Sequence, residues 1–105
     1  MKKVYISGPM TGLPNYNRDA FNLAADVLRD AGFIVINPAI LPDGLSYDAY
    51  MDISMAFVRA ADMVILLPGW EKSAGSRAEI AYAKTRKLEI RLFTKMFQLA
   101  KCEPA

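Results

Sequence analysis

Histidine is absent from this chain, and cysteine occurs once, at Cys102. Without histidine there is no Ser-His-Asp or Cys-His nucleophile pair and no His-ligated zinc. Acid–base work then falls to carboxylates, tyrosine and lysine. A lone cysteine cannot build an intrachain disulfide framework. No apolar run approaches the roughly 20 residues that cross a bilayer, and the N-terminus enters a strand pattern with no signal-peptide core. A cytoplasmic location without a membrane partner is therefore expected. Neither sign of charge dominates: 13 basic and 11 acidic residues leave a net charge of +2, which gives no argument for a nucleic-acid partner. Repeats, linkers and low-complexity segments are also missing, and neither a metal nor a cofactor is expected.

What is present is a periodic, apolar chain. Its 105 residues are 53% hydrophobic, enough for one compact domain spanning residues 1–105. Strands are predicted at 3–7, 33–36, 63–67 and 89–93. Helices are predicted from about 18 to 30, from about 47 to 61, from 75 or 76 to 87, and over 94–101. Phe21, Ala24, Ala25 and Leu28 recur at the spacing of one helix face. Asn17 and Ser46 stand where N-caps belong. The third strand is apolar at every position, the pattern of a strand covered on both sides. Strict alternation of strand and helix predicts a flavodoxin-like α/β fold, a parallel sheet of order 2-1-3-4 with helices on both faces. Ligands in such sheets bind beyond the carboxyl ends of the strands where the winding reverses. That point lies between strands one and three, so the loops after Ser7 and after Leu67 converge on one crevice.

The stretch after strand three carries the chemistry. It runs Pro68-Gly69-Trp70-Glu71-Lys72-Ser73-Ala74-Gly75-Ser76-Arg77-Ala78-Glu79. Read physically it is strand, loop and helix N-terminus, where free N–H groups and the helix dipole suit an anion such as a phosphate. Glu79 follows about one turn into the helix. A carboxylate beside an anion site is unfavourable unless it acts.

With Tyr5-Ile6-Ser7-Gly8-Pro9-Met10-Thr11-Gly12 in the first strand and loop, this stretch resembles the DUF4406 family of phage and prophage proteins. Through it the chain resembles the nucleoside 2-deoxyribosyltransferases and the 2′-deoxynucleoside 5′-monophosphate N-glycosidases. The resemblance implies a nucleoside or nucleotide as the small-molecule partner. It implies Glu79 as the carboxylate that attacks the anomeric carbon, and Ser73 as a ligand of the 5′-phosphate in a Ser-x-Gly-x-x-x-Glu run with Gly75. Tyr5 and Gly8 match the strand-one tyrosine and glycine turn of those enzymes. Two positions depart from their pattern. An expected Asp on helix two is Ser54, with Asp52 the nearest carboxylate, and the first loop has Pro9 and Thr11 where the glycosidases have Ser and Arg.

Cleavage of an N-glycosidic bond passes through an oxocarbenium-like state that a carboxylate can capture as a glycosyl ester. Asp52 and Tyr5 are the candidates for assisting the leaving base. Gly8, Pro9, Met10, Trp70, Ser73, Gly75, Ser76 and Arg77 are the candidate substrate-binding residues. Each has a plainer role open to it. Ser73 and Ser76 read equally as helix caps, Gly69 and Gly75 as turn formers, and Tyr5 as core. Trp70 reads equally as a cover of the core, Arg77 as a solvated helix residue, and Asp62 as the end of helix two. The other functional class open is a module that holds a nucleotide without cleaving it. Helix two carries Met51, Met55 and Val58 on one face and Tyr50, Ile53 and Phe57 on another. One face is surplus in a monomer, which predicts a homodimer or larger assembly through residues 47–61.

Overall fold

A computed structural model describes residues 1–93. The expected last helix and Cys102 lie outside the described residues.

Four strands, β1 (Lys3–Ser7), β2 (Ile34–Ile36), β3 (Met63–Leu66) and β4 (Glu89–Leu92), form a parallel sheet in the order β2-β1-β3-β4. Parallel neighbours cannot be joined by hairpins and need crossover connections. Here these contain α1 (Arg18–Asp30), α2 (Tyr47–Ala60) and α3 (Ala74–Thr85). Register places Tyr5 beside Val64 and Ser7 beside Leu66. Side chains alternate across a strand, so β1 and β3 feed two separate apolar layers. Val4, Ile6, Met63 and Ile65 pack with Phe21, Ala24, Ala25 and Leu28 of α1. Tyr5, Val64 and Leu66 pack with Val58 of α2 and with Ile80 and Ala83 of α3. The fold class and strand order are those expected from the alternation of elements. No helix among the described residues is long and apolar enough to cross a membrane.

Element ends differ from expectation for local reasons. Phe33 donates its N–H to the Leu28 carbonyl and so closes α1 before β2 begins. α3 starts at Ala74 because Ser73 is its cap, the Ser73 hydroxyl accepting the Ser76 N–H at 3.1 Å. Ser46 caps α2 in the same manner, from Ala49 N–H. Asn17 does not cap α1. It follows Asn15 and Tyr16 in a left-handed run, and its amide donates to the Pro9 carbonyl at 2.9 Å. That bond ties the start of α1 to the first loop. Between β2 and α2 a 3₁₀ turn (Pro38–Ile40) is held by the Asn37 side chain, which accepts the Ala39 N–H. Asp62 accepts the Lys3 N–H at 2.9 Å and so fastens the start of β1 rather than ending α2 alone.

The apolar faces of α2 are not divided as the sequence suggested. Val58 and Phe57, from different expected faces, both pack into the layer beneath α2 and α3. Met51 and Tyr50, again from different faces, both line a cavity. Ile53 and Met55 are left half-buried. The reason is that α2 crosses from the β2 side of the sheet to α3 and meets a cavity at one end and a core at the other.

Candidate active site

At the reversal point, Gly8 follows β1 closely packed against the residue after β3. A methyl group on Gly8 would stand 2.8 Å from Leu67 Cβ, so only glycine fits. Gly69 has φ +90°, with Pro9 Cγ 3.2 Å from where its side chain would begin. These contacts hold the two loops together, and they open onto a cavity of about 1070 Å³.

Glu79 lies on the floor of this cavity, 6% exposed. The Tyr5 hydroxyl donates to its Oε2 at 2.8 Å, and the Ser7 hydroxyl donates to its Oε1 at 2.6 Å. Tyr5 and Ser7 are two apart on β1, so they face the same side and grip one carboxylate oxygen each. Burial raises the Glu79 pKa above the ordinary carboxylate value, while the hydroxyls of Ser7, Tyr5 and Ser54 act to lower it. Burial pushes the Tyr5 phenol well above its usual range, and the neighbouring Glu79 charge adds to the shift. Ser54 is buried on α2 and lines the same cavity, its hydroxyl donating to the Met51 carbonyl at 3.2 Å.

The N-terminus of α3 forms another wall. Ser73, Gly75 and Ser76 line the cavity there, with Lys72 just before them. Ser73 is engaged as the cap. The Ser76 hydroxyl is the buried side-chain polar atom that lacks a hydrogen-bond partner among the described residues, and Ser76 is 1% exposed. A buried hydroxyl without a partner is costly unless a ligand completes it. Opposite lie residues from the α1 start and from the approach to α2. The Arg18 guanidinium stands 5.2 Å from the Tyr16 ring centroid and pairs with Asp43. Tyr47 and Tyr50 line the cavity beside them. Among the described residues no cluster of three or more Cys, Asp or Glu side chains comes together as a metal site.

The cavity thus brings together Tyr5, Gly8, Pro9, Met10, Ser73, Gly75, Ser76 and Glu79 from the expected set. Three candidates lie elsewhere. Asp52 is exposed, two residues and more than half a helical turn from Ser54. Arg77 is exposed and donates to the Glu71 carbonyl at 2.7 Å. Trp70 packs against the layer that holds Tyr5 and Leu66, on a smaller hollow with Leu92. Residues that sequence reasoning missed are Ser7, Tyr16, Arg18, Asp43, Tyr47, Tyr50 and Lys72. Ser7 had a signal, its two-residue spacing from Tyr5. The others sit in irregular segments or at a helix start, where no periodicity points inward.

Comparison with known proteins adds a fold and a family. No curated protein matches the chain. Among solved structures it is similar to a 2-desoxiribosyltransferase from Leishmania mexicana, at 18% identity and a TM-score of 0.71. The match covers 88% of this chain and 63% of that one, so the chain spans under two thirds of that protein's length. At this identity the likeness is one of fold. Domain of unknown function (DUF4406) matches over residues 2–92, nearly the whole described chain and both loops of the cavity; the protein belongs to the DUF4406 family.

Proposed function

We propose that this protein breaks the N-glycosidic bond of a nucleoside or nucleotide, releasing the base or passing the sugar to an acceptor, with Glu79 as the nucleophile. The observation that carries this reading is the buried Glu79 carboxylate at the cavity floor, gripped by Tyr5 and Ser7 through different oxygens. Such a grip holds the carboxylate in one orientation in the cavity lining, the positioning an attack on an anomeric carbon needs. The same hydroxyls favour the ionised form that attacks, against the burial that disfavours it. Attack at the anomeric carbon displaces the base and leaves a glycosyl ester on Glu79. Water or a second base then takes the sugar and frees the carboxylate. The free Ser76 hydroxyl, the α3 N-terminus and Lys72 supply a place for a 5′-phosphate. The fold shared with a 2-desoxiribosyltransferase supports the reading without deciding it.

The test is incubation with a panel of nucleosides and 5′-monophosphates, with free base followed by chromatography. The expected outcome is base release that Glu79→Gln lowers by more than about a hundredfold, since loss of a covalent nucleophile costs at least that. A Gln variant that retains a tenth of the activity removes Glu79 from the nucleophile's role. The second reading, a module that binds without cleaving, rests on the lack of a second buried carboxylate beside Glu79 among the described residues. Saturable binding with no base release from any substrate would establish it.

A further inference from the structure

Between the loop after β1 and α1 lies a backbone conformation that the local sequence does not favour. Asn15, Tyr16 and Asn17 have φ of +51°, +53° and +61° in succession. L-residues visit this left-handed region singly, and chiefly as glycine, asparagine or aspartate. Three together, with a tyrosine in the middle, make a short left-handed turn that must be held from outside. The same residues have an unstrained path open to them. Leu13 already has the extended backbone of an N-cap, with φ −98° and ψ 155°. Pro14 follows it, and proline is favoured at the first position of a helix. With residues 15–17 right-handed, α1 would gain one turn and run from Pro14 to Asp30. The Arg18 N–H now donates to the Asn15 carbonyl. In the longer helix it would donate to the Pro14 carbonyl.

The ties that hold the left-handed turn run to the cavity wall. The Asn17 amide donates to the Pro9 carbonyl at 2.9 Å. Pro9 in turn packs against Gly69, so the tie continues to the loop after β3. Arg18 lies over the Tyr16 ring, donates to the Asn15 side chain at 3.3 Å and pairs with Asp43. Pro9, Met10, Leu13, Tyr16 and Arg18 all line the cavity. No residue of Pro14–Asn17 is buried, so polar ties rather than packing fix the turn.

We infer that Asn17 is a positioning residue of this site. Its bond to Pro9 and its tolerance of the left-handed region hold residues 15–17 against the extra turn of α1. In this way it keeps the first loop, Tyr16 and Arg18 in the cavity wall. The turn has two discrete states. In the left-handed state the wall is complete. In the right-handed state the Asn17 amide leaves Pro9, and the side chains of residues 15–17 take new directions because each φ reverses sign. A ligand that touches this wall selects the left-handed state. Glu79, Tyr5 and Ser7 stand on α3 and β1 and keep their bonds in both. The switch therefore governs how well the site fills and leaves the chemical step alone. That the ligand is a nucleotide rests on the glycosidic reading above; the two-state turn does not.

The test uses the isotope-labelled whole chain, in which backbone carbon shifts separate left-handed from right-handed residues. Left-handed shifts are expected at residues 15–17 of the wild type. Asn17→Ala removes the donor to Pro9 and disfavours the left-handed region, so helical shifts are expected there. Asn17→Gly removes the same donor but adopts the left-handed region freely, and it should keep the left-handed shifts. The kinetic readout is base release from 2′-deoxyadenosine 5′-monophosphate. A turn that is left-handed one time in ten raises KM about tenfold. Asn17→Ala should show a rise of that order with kcat unchanged, and Asn17→Gly should recover most of it. If Asn17→Ala does not fold, Asn15→Ala puts the same question to the backbone with the Asn17 amide in place. Left-handed shifts kept by the alanine variants, an unchanged KM, or a loss confined to kcat each overturn the inference. Helical shifts in the alanine variants, with no Glu79-dependent release from any 5′-monophosphate, leave the two-state turn standing and overturn the glycosidic reading.

Discussion

At the scale of single residues, the site turns on how a carboxylate is kept usable in a buried place. Desolvation works against the charge of Glu79, and two hydroxyls on β1 work for it. Tyr5 also fills the core and lies 6.1 Å, ring to ring, from Phe57, so changing it mixes packing with chemistry. Ser7 is the cleaner probe. Removing its hydroxyl takes a donor from Glu79 Oε1 and leaves that oxygen buried, at a cost of about 1–3 kcal/mol in stability. Donors to a carboxylate favour its ionised form, so their loss raises the pKa. Ser7→Ala should therefore move the acid limb of the kcat/KM profile to higher pH, while a plateau is still reached. An unmoved or lowered limb would show that Ser7 only packs. Sequence reasoning found Glu79 because strand, loop and helix follow one another so plainly there. It passed over Ser7 because a small polar residue at a strand's end looks like the start of a turn, and its partner is 72 positions away.

At the scale of elements, the sheet was legible and the loops were not. Runs such as Met63 to Leu66 are buried on both sides, and nothing but a central strand satisfies that pattern. The tie from Asn17 to Pro9, by contrast, depends on three left-handed residues in succession, which no propensity anticipates. The same limit applies to Tyr16 and Asp43, which reach the cavity from irregular backbone. The N-terminus of α3 shows two serines three apart with different work. Ser73 accepts the Ser76 N–H and stabilises the helix, whereas the Ser76 hydroxyl is buried in the cavity wall without a partner among the described residues. Ser73→Ala should thus cost about 1 kcal/mol in stability, the ordinary value of an N-cap. Ser76→Ala should be nearly neutral for folding. In calorimetry a 5′-monophosphate should bind the wild type more tightly than its nucleoside, and Ser76→Ala should shrink that difference. Equal affinities in the wild type would mean that α3 holds something other than a phosphate.

At the scale of the whole molecule, the cavity floor has a consequence for stability that pH reveals. The folded protein raises the Glu79 pKa above its ordinary value, with burial as the largest cause. A carboxyl group shifted in that direction gives its full contribution to stability below the unfolded pKa, and that contribution is lost as pH rises through the folded pKa. Above its folded pKa the wild type therefore carries an ionised group that folding disfavours. The amide of the Glu79→Gln variant keeps the shape without the charge, and Tyr5 and Ser7 can turn their hydroxyls to suit it. The variant should melt at a higher temperature than the wild type at pH 7 to 8, and the two curves should converge as pH falls toward 4. For a domain of 60–100 residues, about 1 kcal/mol corresponds to roughly 4–8 °C, so the difference is readable in a melting curve. Glu89 shifts the opposite way through Arg91 and Lys2, but it is present in both proteins and cancels from the comparison. A Gln variant that melts lower than the wild type at pH 8 would mean that the hydroxyl bonds to the carboxylate outweigh its burial. The site would then be one in which Glu79 is held for the fold. A variant that gains stability while losing base release would show the reverse: a carboxylate kept at the expense of the fold, at the one point in the sheet where the loops after β1 and β3 can deliver a substrate to it.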